Sequence, residues 1–212
     1  MSRRARHRAR RHDRQKEEPM KRVNEIFCSL QGEGHNTGRA AVFVRFAGCN
    51  LRCPFCDTDF SAFREMTDAE IVSAASAYRP RLVILTGGEP TLQADAALTA
   101  ALHAAGFSVA METNGTRPVP PGVDWLTVSP KEPFCGAAGR LAVSRCDELK
   151  CVFDGVTPVS DFGVEASHYY LQPCDTGDAG RNSRIAAACA AYIMEHPRWR
   201  LSLQTHKLAG FK

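Results

Sequence analysis

The sequence predicts an α/β fold, an abridged (partial) TIM-like barrel with mostly parallel strands. Short apolar strands alternate with helices, which implies parallel pairing through crossover connections. Helices are few in the second half, so a complete barrel of strand–helix units is not expected. Polar residues follow many of the strands, and parallel α/β sheets and barrels place their sites at these carboxyl ends.

The first half of the chain contains strands and helices in alternation. Strands are predicted at 23–30, 41–48, 81–90 and 107–115. A helix is predicted at 67–78, because Thr67 suits the N-cap and Glu70 stands at the capping-box position. A second helix is predicted at 92–106, where Gly106 suits the C-terminal cap.

The second half contains mainly strands. They are predicted at 124–131, 148–153, 168–175 and 199–207, with one helix at about 182–196. Each strand carries polar residues near its C-terminal end. We therefore expect one mouth of the barrel to gather Cys49, Thr86–Glu89, Glu112–Asn114, Ser129–Lys131, Gln172–Asp175 and Gln204–Lys207.

Length and composition suit a single domain, which we place at 20–212. The 212 residues are 44% hydrophobic, enough to form one sizeable core. No apolar run is long enough to cross a bilayer, and no secretory signal is visible. We therefore expect a cytoplasmic protein without a membrane partner.

The positive charge is concentrated in residues 1–19. This segment holds seven Arg and one Lys against three acids, whereas the whole chain carries only +4. The segment is interpreted as a disordered basic leader, or as the result of an upstream start with Met20 as the natural beginning. The alternative is non-specific contact with nucleic acid. A specific nucleic-acid partner is not expected, because the basic excess is not on the folded part.

Nine cysteines are present, and three of them cluster in "GCNLRCPFCDT" at 48–58. The odd number and the tight cluster argue against a disulfide framework. Cys151 is expected in a buried strand and Cys189 in a helix core. The clustered residues Cys49, Cys53 and Cys56 can hold three corners of a [4Fe–4S] cluster and leave the fourth iron open. A zinc knuckle completed by another residue such as His35 is the alternative.

The Cys-x3-Cys-x2-Cys spacing, together with "TGGEP" at 86–90, resembles the radical S-adenosylmethionine (SAM) superfamily. The resemblance implies that the open iron binds SAM and that electron transfer cleaves it to a 5′-deoxyadenosyl radical. It also implies a SAM pocket, in which Glu89 accepts from the amino group. The residues expected there are Gly88, Glu89, Ser129, Pro130, Lys131, Gln172, Pro173, Cys174 and Asp175.

Further stretches narrow the resemblance. "EIFCSLQGEGHNTGRAAVFVRFAGCNL", "CDTDF", "ETNGT", "SPK", "LQPCD" and "LQTHK" together resemble the 7-carboxy-7-deazaguanine synthase family from about Val23 to Lys207. This implies conversion of 6-carboxy-5,6,7,8-tetrahydropterin to 7-carboxy-7-deazaguanine with loss of ammonia. The resemblance also implies a mechanism in which hydrogen is abstracted at C6 and the ring contracts through a radical rearrangement. SAM is regenerated in it, and Mg²⁺ assists. A homodimer and a flavodoxin or ferredoxin reductant are expected partners.

The same resemblance assigns the substrate site. Its predicted residues are Leu30, Gln31, Gly32, Glu33, Arg45, Thr86 and Lys212. Thr58 is the expected Mg²⁺ ligand, with Asp57 and Asp59 as alternatives, and Glu112 and Asn114 are strand-end candidates. Gln31 and Gly32 could instead form only a turn, and Arg45 could be a surface charge. The chain departs from the family pattern at Cys174 and at its "LAGFK" ending.

Two other functions are compatible with the sequence. One is an activase that installs a glycyl radical on a partner protein. The other is a non-enzymatic iron–sulfur electron carrier or a zinc-binding interaction module.

Overall fold

The structure is a computed structural model that describes residues 19–56, 58–59 and 61–212. The predicted basic leader therefore lies outside the described residues, except for Pro19. The strands described are β1 (Lys21–Leu30), β2 (Ala40–Phe46), β3 (Arg64–Met66), β4 (Leu82–Gly87), β5 (Ser108–Thr113), β6 (Trp125–Val128), β7 (Arg145–Phe153), β8 (Glu165–Pro173) and β9 (Arg200–Leu201). They form one sheet in the order β3-β1-β2-β4-β5-β6-β7-β8-β9.

The sheet is open and mostly parallel. From β2 through β4 to β9, every neighbouring pair is parallel. β1 instead pairs antiparallel with β2 and with β3. The connection from β1 to β2 is too short for a crossover, which explains the first of these pairings. β3 and β9 are the two edges and do not pair with each other, so the predicted partial barrel is confirmed.

The helices are α1 (Asp68–Ser76), α2 (Ala96–Ala104), α3 (Glu132–Cys135), α4 (Ala179–Glu195) and α5 (Thr205–Ala209). The predicted start of the second helix was wrong. Pro90–Leu92 forms a separate 3-10 turn, and α2 begins only after Asp95, whose side chain accepts from the N–H of Leu98 at 3.0 Å. Across the described ranges, no helix is both long and apolar enough to span a membrane.

The predicted last strand at 199–207 was largely wrong. β9 ends at Leu201, and the chain continues into α5. Two hydrogen bonds turn it inward, since the N–H and the hydroxyl of Thr205 both donate to the carbonyl of Gly32, at 3.0 and 2.8 Å. These bonds join the end of the chain to the loop that follows β1.

The core lies between the outer face of the sheet and the helices. Leu85 and Met111 of the sheet are fully buried with Leu98 of α2 in one apolar cluster. A second cluster contains Cys151 of β7 and Cys189 of α4, so both cysteines are buried as predicted. A third cluster contains Phe27 of β1, Phe43 of β2 and Ile84 of β4, so the opposite face of the sheet is also partly apolar.

A capping box stabilises the start of α1. Thr67 accepts from the N–H of Glu70 at 3.2 Å, and its own N–H donates to the Glu70 carboxylate at 2.8 Å, which confirms the predicted capping box. We expect Thr67→Ala to lower the free energy of unfolding by about 1 kcal/mol. Urea denaturation measures the change, and Thr67→Ser should restore most of it. An unchanged midpoint in Thr67→Ala would contradict this role.

Candidate active site

The three clustered cysteines lie together at the mouth of the barrel. They follow β2 directly, and Cys49, Cys53 and Cys56 line one cavity. All three are free thiols, and the N–H of Leu51 points to the sulfur of Cys49 at 3.4 Å. Burial raises the pKa of Cys53, and a positively charged metal centre would favour its thiolate form. Three soft donors around one cavity fit an iron–sulfur cluster.

His35 does not join these cysteines. Its ring stacks on Trp125 and on His168, with centroids 4.7 and 4.3 Å apart, and it does not line the cysteine cavity. Within the described ranges, no three His, Cys, Asp or Glu side chains converge as ligands of a single metal ion. The zinc alternative therefore gains no support.

The Gly-Gly-Glu turn after β4 packs directly on the start of the cysteine loop. The N–H of Gly88 donates to the carbonyl of Phe46 at 3.0 Å, and the N–H of Glu89 to that of Gly48 at 2.9 Å. A Cβ on Gly88 would lie 1.9 Å from the Gly48 oxygen. Glycine is needed at position 88 because the backbone of this turn contacts the backbone of the cysteine loop directly.

The Glu89 carboxylate is buried and does not line the cavity. Its Oε1 accepts from the N–H and hydroxyl of Thr91 and from the hydroxyl of Thr113, at 3.0, 2.6 and 2.6 Å. Its Oε2 accepts from the N–H of Asn114 at 2.8 Å. The carboxylate thus ties the ends of β4 and β5 together, and its contact with the SAM amino group stays a prediction.

Gly88→Ala should disrupt the contact between the two loops. A methyl group at this position collides with backbone, so the cysteine loop must shift, and we expect less iron bound after reconstitution. Iron content and the absorbance of the cluster measure the effect. Gly180→Ala in α4 is the matched control, because its Cβ would make only ordinary contacts at 3.5 Å or more. Equal iron contents in the two variants would contradict the packing argument.

The cysteine cavity also receives most residues predicted for SAM. Gly88, Ser129, Lys131, Gln172, Pro173, Cys174 and Asp175 line it, together with Asn114 and Glu112. Pro130 does not line this cavity and is buried. The structure thus brings together residues from the ends of several strands, as the sequence predicted.

Lys131 and Asp175 are two of the charged residues that line this cavity. The Lys131 ammonium donates to the carbonyl and hydroxyl of Ser129, at 2.8 and 2.5 Å, and burial lowers its pKa. Asp175 accepts from Lys207 at 2.7 Å and from Asn182 at 2.7 Å. The hydrogen bond from Lys207 holds the pKa of Asp175 well below its usual range, so this carboxylate is ionised.

A second cavity adjoins the first. The predicted substrate and Mg²⁺ residues that line it are Leu30, Gln31, Gly32, Glu33, Arg45, Thr58, Asp59, Thr86 and Lys212. Asp57 lies outside the described residues. Glu33, Gly87, Glu112 and Gln204 line both cavities, so the two spaces meet at these residues.

The C-terminus covers one side of the second cavity. Lys212 pairs with Glu25, and its ammonium lies 4.5 Å from the centre of the Phe27 ring. The main-chain oxygen of Lys212 accepts from the hydroxyl of Ser29. Arg45 also pairs with Glu25 at 2.9 Å. Although burial opposes ionisation, these two cations lower the pKa of Glu25.

Lys150 lies where the two cavities meet. Its ammonium is 2.5 Å from Oε2 of Glu33 and 4.0 Å from Oε1 of Glu112. Gln204 donates to Glu33 at 3.0 Å, and Gln31 to Glu112 at 2.7 Å. Burial opposes ionisation of Glu33, but the Lys150 charge outweighs it and lowers the pKa of Glu33 to about 2. The junction therefore holds an ionised carboxylate.

The sequence predicts Lys150 in a strand but does not assign it a role. The signal was available, since a lysine within the apolar strand "ELKCVF" must find a partner if it is buried. Cys135 was also missed, and its sulfur lies 3.7 Å from that of Cys53. No spacing in the sequence indicated that contact, because 82 positions separate the two residues.

Comparisons with known proteins agree with this site. The Radical SAM superfamily matches residues 43–131, which include the cysteine loop and the Gly-Gly-Glu turn. A 7-carboxy-7-deazaguanine synthase from Bacteroides thetaiotaomicron is 50% identical over 193 residues, covering 91% of this chain and 100% of the relative. One from Nitratidesulfovibrio vulgaris is 46% identical and covers 89% of this chain and 98% of the relative.

A solved structure agrees as well. The crystal structure of QueE from Escherichia coli has a TM-score of 0.68 and 28% sequence identity, covering 87% of this chain and 93% of that one. The matching fold, the cysteine loop and the identity over almost the whole length lead to one conclusion. The chain belongs to the 7-carboxy-7-deazaguanine synthase family, within the radical SAM superfamily, and is an enzyme of that kind with a [4Fe–4S] cluster and SAM as cofactors.

Proposed function

We propose that the enzyme converts 6-carboxy-5,6,7,8-tetrahydropterin to 7-carboxy-7-deazaguanine and ammonia. The observation that carries this proposal is the pair of adjoining cavities, one lined by the cluster cysteines and the other by Arg45. When bound in the first cavity, the cluster and SAM supply a carbon radical that abstracts hydrogen. The product equals the substrate minus ammonia, so the reaction needs no net oxidant, and SAM can act as a regenerated cofactor.

The chain's own residues suit a flat, carboxylated pterin. Arg45 offers a guanidinium to the substrate carboxylate. Glu33 and Glu112 can accept hydrogen bonds from ring N–H groups through their carboxylate oxygens. Lys150 lies beside both carboxylates. The C-terminal residue Lys212 and the Phe27 ring line one side of this cavity.

Binding of SAM is assigned to the residues of the first cavity. Lys131 presents a positive charge suited to its carboxylate, and the ionised Asp175 is a hydrogen-bond acceptor. The backbone of the turn at Gly88 lies next to the cysteine loop, so its polar groups are close to the open iron position. Glu89 acts by fixing that turn, which its four hydrogen bonds favour.

Mg²⁺ is proposed at Thr58, in the second cavity beside Asp59 and Arg45. A single hydroxyl is a weak site by itself, but Mg²⁺ retains waters and takes oxygens from substrates. The substrate carboxylate and waters would supply the remaining ligands. An ion there would orient the substrate and reduce the repulsion between its carboxylate and nearby acids.

The expected partners and location also remain proposals. A second copy of the chain could cover the open edge at β9, since exposed sheet edges favour pairing. A flavodoxin or ferredoxin is proposed as reductant, and the cytoplasm as location. Sedimentation of the purified enzyme tests the homodimer directly.

Anaerobic reconstitution followed by product analysis tests the reaction. We expect 7-carboxy-7-deazaguanine and ammonia in equal amounts from the pterin substrate, with SAM recovered. A fully reconstituted enzyme that forms no deazaguanine would overturn the proposal. Electron paramagnetic resonance tests the electron-carrier alternative, since a spectrum that changes on addition of SAM argues for an open iron and against a simple carrier.

A further inference from the structure

Cys135 is a cysteine outside the clustered motif that lies beside one of its members. The sulfur atoms of Cys53 and Cys135 are 3.7 Å apart, about van der Waals contact, although the residues are 82 positions apart. Both thiols are free and partly exposed. An oxidant in solution can therefore reach them, whereas Cys146, Cys151 and Cys189 are buried.

Two packing features hold the thiols together. Phe55 of the cysteine loop meets Phe134 of α3 edge to face, with centroids 4.8 Å apart and an angle of 87°. The turn after α3 folds tightly against the start of that helix, since a Cβ on Gly139 would lie 2.6 Å from the backbone nitrogen of Glu132. Phe55 is two residues from Cys53, and Phe134 is next to Cys135. The contact between the two rings therefore holds the two sulfurs close together.

We propose that Cys53 and Cys135 form a disulfide when the chain lacks its cluster, and that this bond withholds Cys53 from cluster assembly. The sulfurs need to approach by only about 1.7 Å to reach bonding distance. The two thiols lose two protons and two electrons, and dioxygen takes up both and becomes hydrogen peroxide. A dithiol reductant reverses the reaction by thiol–disulfide exchange.

The disulfide and the cluster exclude each other, because both need the sulfur of Cys53. In the cluster-free chain the disulfide would protect Cys53 from further oxidation. A disulfide can be reduced back to thiols, whereas sulfinic and sulfonic acids in general cannot. Cys135 would thus be a modification site that preserves a ligand during periods without cluster. This inference depends on the ligand role of Cys53 and not on the identity of the substrate.

Peptide mapping tests the proposal on the full-length, cluster-free chain. The chain is exposed to air, its remaining thiols are alkylated, and it is digested with trypsin without reduction. Trypsin separates the three relevant regions into peptides 46–52 with Cys49, 53–64 with Cys53 and Cys56, and 132–140 with Cys135. We expect peptide 53–64 linked to 132–140 as the main disulfide, lost after dithiothreitol.

Variants identify the sulfurs and supply a second readout. Cys56→Ser should keep the linked pair, and Cys135→Ser should lose it. Oxidised wild-type chain should accept a preformed [4Fe–4S] cluster from a carrier protein several-fold less well than reduced chain, and Cys135→Ser should narrow that difference. Alkylated Cys135 in oxidised wild type, with disulfides only among peptides 46–52 and 53–64, would overturn the proposal without affecting the proposed reaction.

Discussion

Cys53→Ala is expected to remove the cluster and to reduce formation of 7-carboxy-7-deazaguanine to background. Cys53 is one of the three cysteines of the loop after β2 that line the cavity, and the loss of one leaves only two of these thiolates to hold the cube. Binding of SAM to an open iron is then lost as well. Iron and sulfide content after anaerobic reconstitution, together with product analysis, measure the effect.

Cys189→Ala is the matched control for this change. Cys189 is fully buried in α4 among apolar side chains, far from any role in ligation. We expect a loss of stability of about 1 kcal/mol and nearly full iron content and activity. If both variants lost activity with correct folding, the division of the cysteines into ligands and core residues would be wrong.

Lys150→Met is expected to weaken both stability and activity. The Lys150 side chain is 7% exposed and that of Glu33 16%, so the change leaves a largely buried carboxylate without its cation. Breaking such a pair costs about 3–5 kcal/mol. For a chain of this size the melting temperature should fall by roughly 10 °C. Displacement of Glu33 at the cavity junction should lower product formation by about 100-fold.

Arg145→Met on the same strand is the control. Arg145 pairs with Glu165 at 2.8 Å, but both side chains are more than two-thirds exposed, at 76% and 71%. Since exposed pairs contribute little, this variant should keep its stability and activity. Equal losses of stability in the two variants, measured by urea denaturation, would show that the buried position of Lys150 is unimportant.

The pair should also show a defined pH dependence. The pKa of Glu33 is lowered to about 2 in the folded chain, below its unfolded value of about 4.3. Its contribution is therefore fully present above the unfolded pKa and is lost as pH falls toward the folded pKa. We expect the stability difference between wild type and Lys150→Met to shrink as the pH falls from roughly 5 to roughly 2. A constant difference would argue against an ionised Glu33.

Local signals in the sequence were sufficient for several features. The capping box at Thr67, the buried strand at β4 and the buried Cys151 and Cys189 were correctly predicted, because each depends on neighbouring residues or on apolar patterning. The last strand failed for the opposite reason. The strand ends at Leu201 and the chain then turns, because Thr205 donates hydrogen bonds to the carbonyl of Gly32 in a distant part of the chain.

The sequence by itself determined the cysteine spacing, the strand-end motifs and the order of the strands along the chain, and these indicate the chemistry. Only the tertiary structure decided that Lys150 joins Glu33 and Glu112 between two cavities, that Glu89 braces a turn, and that Cys135 meets Cys53. The physical reason is that spacing within one loop fixes local geometry. Pairing between strands, and the burial that follows from it, selects which distant charges and thiols come into contact.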